Sequence, residues 1–180
     1  MGNNILETER LLLREFDSGD ADFMFELLNT PNWIKYIGDR KVKTLDDARK
    51  YLESGALASY RKYGFGFWMV ELKFVRVPIG TCGLVKREAL DDVDIGFAFL
   101  PDFEGMGYGY ESAMATLDYA KKELKLKRVV AITVKFNEAS IGLLNKIGLK
   151  YEKMIRLRND AEDLMLFSIN LEEEKQVFRK

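Results

Sequence analysis

Apolar and polar positions change period along the chain, and the changes mark out its elements. Arg10 to Phe16, with Leu11, Leu12 and Leu13, predicts a first strand. Asp17-Ser18-Gly19-Asp20 predicts a turn and N-cap, then a helix holding Phe23, Phe25, Leu27 and Leu28 that Pro31 ends. Residues 31–43 predict an irregular segment rich in aromatic and basic side chains. Thr44 caps a second helix reaching toward Gly64, with Asp46 and Asp47 in its first turn, where carboxylates complement the helix dipole.

Three strands are then expected, Phe65–Lys73, Ile79–Lys86 and Asp92–Leu100, forming an antiparallel meander. In the last, Val93, Ile95, Phe97 and Phe99 alternate with Asp94, Gly96 and Ala98, so its two faces differ. Pro101 stops it. Gly105, Gly107 and Gly109 follow at every second position, after which Ala113, Leu117, Ala120 and Leu124 recur at helical spacing. Arg128–Val134 is nearly all apolar and predicts a buried strand. Asn137 opens another helix, with Ile141, Leu144 and Ile147 on one face and Gly148 as its stop. Leu149–Arg156 and Leu164–Asn170 are the last strands, joined by a polar turn at 158–161 and followed by a solvated tail from Glu172. The pattern predicts one α+β domain over residues 1–180, with seven strands and four helices.

Composition narrows the partners. At 180 residues the chain is long enough for a sizeable core, and 28 basic against 29 acidic side chains leave a net charge of −1. That balance gives no electrostatic case for nucleic acid or an anionic membrane. No apolar run is long enough to span a bilayer, and no signal segment opens the chain, so a cytoplasmic protein is expected. The chain has no histidine and one cysteine, Cys82, in a strand-like run. This excludes Cys–His and Ser-His-Asp catalysis and a multi-cysteine zinc site; Cys82 is expected to be a buried, inert thiol. No metal is expected.

The glycine run is the strongest chemical signal. A helix opening on a glycine loop presents unpaired N–H groups and partial positive charge, which suits a phosphate or pyrophosphate. A flexible turn before an ordinary helix is the alternative. Neither G-x-G-x-x-G nor G-x-x-x-x-G-K-[ST] is present.

Glu104-Gly105-Met106-Gly107-Tyr108-Gly109, after its aromatic strand, resembles the acetyl-CoA loop of the GNAT N-acetyltransferase superfamily. Asn137-Glu138-Ala139-Ser140 through Leu143, Lys146 and Gly148-Leu149 is similar to the N-x-x-S-x-x-L-x-x-x-G-F segment of its RimJ/RimL-like branch, the ribosomal-protein N-terminal acetyltransferases. Glu7-Thr8-Glu9-Arg10-Leu11-Leu12-Leu13-Arg14 is similar to that branch's first strand. The resemblance implies a mixed central sheet splayed between its fourth and fifth strands, with the cofactor arm in the split.

It also implies roles. Backbone groups of Gly105, Met106, Gly107, Tyr108, Gly109 and Tyr110 would cradle the acetyl-CoA pyrophosphate. Main-chain groups of Phe99 and Leu100 would pair with the pantetheine arm, and the Asn137 side chain would bond its amide. Ser140 is the expected proton donor to the leaving thiolate, because the position four residues later, often tyrosine in the superfamily, is Leu144. For the base, Asp92, Asp94 and Glu71 come into view, and Asp94 is the nominee. Trp33 with Tyr36, and Tyr60 with Tyr63, are candidates for a substrate cleft. Glu104 stands where Gln or Arg is usual, and a carboxylate there would repel the phosphates. The expected reaction is acetyl transfer from acetyl-CoA to a primary amine, a protein N-terminus or a small molecule, by a monomer or homodimer. A non-catalytic acyl-CoA-binding module is the rival.

Overall fold

The two-faced strand lies near the middle of an eight-stranded sheet in the computed structural model, which describes residues 2–157 and 162–172. The expected turn at 158–161 and the tail beyond Glu172 lie outside the described residues. The strands are β1 (Asn4–Glu7), β2 (Leu11–Glu15), β3 (Phe67–Leu72), β4 (Pro78–Val85), β5 (Val93–Phe99), β6 (Arg128–Val134), β7 (Lys150–Ile155) and β8 (Leu164–Asn170). Their spatial order is β1-β2-β3-β4-β5-β6-β8-β7. All neighbours are antiparallel except β5 and β6.

That parallel pair holds only at Val93–Val129 and Asp94–Val130, whereas β6 and β8 stay paired from Arg128–Asn170 to Val134–Leu164. Beyond Asp94 the two strands diverge. This is the expected split, and it leaves one edge of β5 unpaired inside the sheet. Strand residues alternate in which side their backbone groups address. The Leu100 amide donates to Ile79 on the β4 side at 2.9 Å. By alternation, the backbone groups of Ile95, Phe97 and Phe99 point into the split.

Helices cover both faces. α1 (Ala21–Leu28), α2 (Pro31–Tyr36) and α3 (Leu45–Leu52) pack Met24, Leu27, Trp33 and Leu52 over Met69 and Leu100. α4 (Ala58–Tyr63) continues α3 through a wide π turn at Glu53–Leu57 that includes Gly55. On the other face, α5 (Tyr108–Lys122) and α6 (Glu138–Lys146) bring Ala113, Leu117, Ala120 and Leu144 against Trp68, Leu84, Ile95 and Ala131. Cys82 is fully buried there, with Sγ 3.4 Å from Thr116 Oγ1, and burial pushes its thiol up to about 11. It is structural.

Two elements depart from the sequence reading. β1 is an eighth strand, paired only with β2. Its turn carries no Gly, Pro or Asn; Thr8 closes it instead, accepting from the Leu11 amide at 3.0 Å. Residues 31–36 form a helix where irregular chain was expected, because Pro31 starts it rather than ends its predecessor. Thr30 is the N-cap, accepting from the Trp33 amide, and Pro31 stands in the first turn, where its missing N–H costs nothing. Among the described residues, no helix is long and apolar enough to cross a membrane.

Candidate active site

The split between β5 and β6 opens into a cleft of about 2010 Å³, roofed by α2 and bordered by the glycine loop and α6. The loop's shape needs glycine. Gly105 has φ 73° and Gly107 φ 84°, left-handed values that strain other residues. Gly107 is also the N-cap of α5 and provides no side-chain cap, so the first-turn amides have no capping acceptor. Gly109 and Tyr110 lie in that turn and border the cleft.

Arg10 braces the loop from behind. Its Nη1 donates to the Met106 carbonyl at 3.1 Å, and its guanidinium lies over the Tyr108 ring at 4.5 Å. Arg10 Nε and N–H both reach Glu111, at 2.7 and 2.8 Å, while Thr8 Oγ1 donates to the same carboxylate at 2.5 Å. Burial pushes the Glu111 carboxyl up, yet these bonds outweigh it and hold it below the usual carboxylate range. Tying the Met106 carbonyl back keeps the loop's acceptors away from its amides. The side chains of Met106 and Tyr108 lie outside the cleft lining, while the Tyr108 amide belongs to the same first turn. Losing the brace is expected to weaken acetyl-CoA binding by about tenfold in Arg10→Ala, as for one charge-assisted hydrogen bond, read by titration calorimetry.

Glu104 is turned elsewhere. Asn32 Nδ2 of α2 donates to both of its carboxylate oxygens at 3.0 Å, across the mouth of the cleft. The amide partner holds the carboxylate toward α2, still on the cleft lining.

On the opposite lip, Asn137 caps α6: its Oδ1 accepts from the Ser140 amide at 3.1 Å, and its Nδ2 has no acceptor among the described residues. Ser140 is half-buried in the same turn and borders the cleft. Leu144, one turn on, is 1 % exposed in the core. Leu100 is not available for the role expected of it. Its N–H is bonded to Ile79 and its carbonyl accepts from Phe103 at 3.0 Å, so the free edge of β5 comes down to Phe99, Phe97 and Ile95.

The three carboxylates separate. Glu71 is buried between Arg14 and Arg76, each at 2.6 Å, on the far side of β3 from the split. Asp92 precedes β5 and pairs with Arg128 at 2.7 Å, outside the cleft. Asp94 stands at the vertex where β5 and β6 part. It is 1 % exposed, its Oδ2 accepts from Arg87 Nε at 2.6 Å, and its Oδ1 has no hydrogen-bond partner among the described residues. Burial pushes its carboxyl up to about 6, against the pull of Arg87 and the nearby Ile132 amide.

The aromatics divide as well. Trp33 is buried on the cleft wall, and its Nε1 has no partner among the described residues. Tyr36 crosses the mouth to Phe136, with ring centroids 5.9 Å apart. Tyr63 borders the cleft, but Tyr60 is structural: its hydroxyl donates to the Phe67 carbonyl and accepts from the Phe16 amide. Arg10, Asn32, Arg40 and Arg87 were not found by sequence reasoning. Only Arg10 carried a signal, its place in the first-strand motif.

Comparison with known proteins agrees with this architecture. A model of the GNAT acetyltransferase domain matches residues 10–150. The uncharacterized N-acetyltransferase YnaD of Bacillus subtilis is 31% identical over 173 residues, covering 94% of this chain and 98% of the relative. A solved GNAT-family acetyltransferase from Bacillus anthracis is 29% identical with a TM-score of 0.77, covering 93% of this chain and 99% of that one. RimL, the ribosomal L7/L12 α-N-protein acetyltransferase solved with coenzyme A, shares the fold at 18% identity and a TM-score of 0.79, covering 93% and 98%.

Proposed function

This chain belongs to the GNAT acetyltransferase family, and from that premise we propose that it acetylates a primary amine held at the vertex of the cleft, by direct attack in a ternary complex. The observation that carries the proposal is the unpaired edge of β5, with the glycine loop at its open end and a buried carboxylate at its closed end. Glycines without Cβ atoms, first-turn amides and a free strand edge fit a pyrophosphate followed by an amide-bearing arm. Gly105, Gly107, Gly109 and Tyr110 would hold the former, and Phe99 with Asn137 Nδ2 the latter.

Acetyl-CoA supplies the acetyl group as a thioester, which the neutral amine attacks, forming a C–N bond as the C–S bond breaks. The chain's part is to move two protons. Asp94 takes one from the acceptor ammonium, directly or through a water that enters with it; either supplies the donor that Oδ1 lacks. A pKa near 6 leaves Asp94 ionised at neutral pH but close enough to it to act as a base. Ser140 donates its hydroxyl proton to the departing sulfur and regains one from the attacking nitrogen, directly or through water, as that nitrogen sheds its second proton to become the amide. Trp33 and Tyr36 form the acceptor wall, where the Trp33 N–H can meet an acceptor oxygen.

Ser140→Ala tests the donor. Its kcat is expected to fall about 100-fold, the low end for general acid catalysis, with the KM for acetyl-CoA little changed. Full turnover in release of free thiol would overturn the assignment.

A further inference from the structure

We infer that the acceptor carries a carboxylate beside its amine, as a free amino acid does, and that Arg87 and Arg40 hold that carboxylate while Asp94 faces the amine. This deepens the acetyl-transfer reading and rests on it.

Donor groups are left unpaired at the vertex. Arg87 spends only Nε on Asp94, and its two Nη groups have no acceptor among the described residues. Its side chain is 36% exposed against 2% for Asp94, so it stands between the buried carboxylate and the cleft. Arg40 also borders the cleft and makes no ion pair among the described residues. Both guanidiniums lie on the cleft lining together with Tyr51. Burial raises the Tyr51 hydroxyl above its ordinary pKa, and Arg40 and Arg87 both lie near enough to pull it back. Tyr51 lines the same wall.

A molecule with amine and carboxylate on one carbon presents the complement of this arrangement, cation toward Asp94 Oδ1 and anion toward the Arg87 fork. A peptide N-terminus has a neutral carbonyl in place of the carboxylate and leaves both guanidiniums without an anion. Among the described residues around the cleft, seven lysines and arginines face four carboxylates, although the chain as a whole carries −1. The phosphates expected at the glycine loop do not account for the Arg87 end. Asp94 stands five residues down β5 from Phe99, about 17 Å at strand rise.

The test is the initial rate of thiol release from acetyl-CoA with three acceptor series: the common L-amino acids, their carboxamides, and short peptides with acidic second residues. The best free acid is expected to exceed its own amide roughly 10- to 100-fold in kcat/KM, the range for one hydrogen bond to a charged group. Arg40→Gln is expected to shrink that ratio toward one by raising the KM of the acid rather than of the amide, whereas Arg87→Gln, which also strips Asp94 of its partner, is expected to shrink the ratio and to lower kcat on acid and amide alike. Amides or peptides acetylated as fast as the free acids would overturn the inference and leave the acetyl-transfer reading standing. Turnover of none of the three series would overturn both.

Discussion

An Asp94→Asn variant is expected to lose 100- to 10,000-fold in kcat, the range general bases contribute, and to be more stable than the parent at pH 8. The two effects have one cause. Burial holds the folded carboxyl at about 6, above its ordinary 3.8. Between those values the folded state binds more protons than the unfolded one, so the stability Asp94 contributes is present below about pH 4 and is lost as pH rises through 6. Above pH 7 the ionised carboxylate costs up to about 3 kcal/mol, from roughly two pK units at 1.36 kcal/mol each. Asparagine removes that cost, and Arg87, partly exposed, can turn to water. Urea melts of both proteins from pH 4 to pH 8 read the difference, which should grow across the window. In the parent, kcat/KM should rise with pH through about 6 as the base ionises. A variant within twofold of parental kcat would remove Asp94 from the reaction.

The second large effect concerns the scaffold. Arg14 is buried beneath the turn that opens α1, with Nε 2.6 Å from Glu71 and both Nη groups 2.8 Å from Asp20. The hydrogen bonds to Asp20 raise its guanidinium further above its already high pKa, despite the cost of burial. Arg76 completes the cluster at Glu71. Removing one member leaves its partners charged and dry, so Arg14→Met is expected to destabilise the fold by about 3–5 kcal/mol in urea melts. Adding Glu71→Gln and Asp20→Asn to that variant should recover part of the loss, because no uncompensated carboxylate then remains. A loss below 1 kcal/mol in Arg14→Met alone would contradict the reading. The cluster fixes the start of α1, and α1 carries the α2 roof of the cleft.

These two sites also show what the sequence makes legible. The β5 alternation, the glycine spacing and the Asn137 cap are local patterns, set by backbone geometry within a few residues, and each is readable without a fold. The braces are not local. Arg10 and Glu111 stand 101 positions apart, and Arg14 and Glu71 57 apart, so charge patterning along the chain cannot pair them. Arg87 lies only seven residues from Asp94, yet the turn between β4 and β5 decides whether it points there. Pro31 shows the opposite difficulty: the residue that ends one helix starts another, and the Thr30 cap before it was the clue. Leu100 was misplaced for a related reason, since strand alternation fixes its amide toward β4 only once the register with Ile79 is known.

The most direct test of the account is calorimetric titration of the purified protein with acetyl-CoA, run beside Arg10→Ala. One site of micromolar affinity is expected in the parent and about tenfold weaker binding in the variant. Absence of binding at millimolar acetyl-CoA, or equal affinity in the two proteins, would contradict the placing of the acetyl donor at the braced glycine loop.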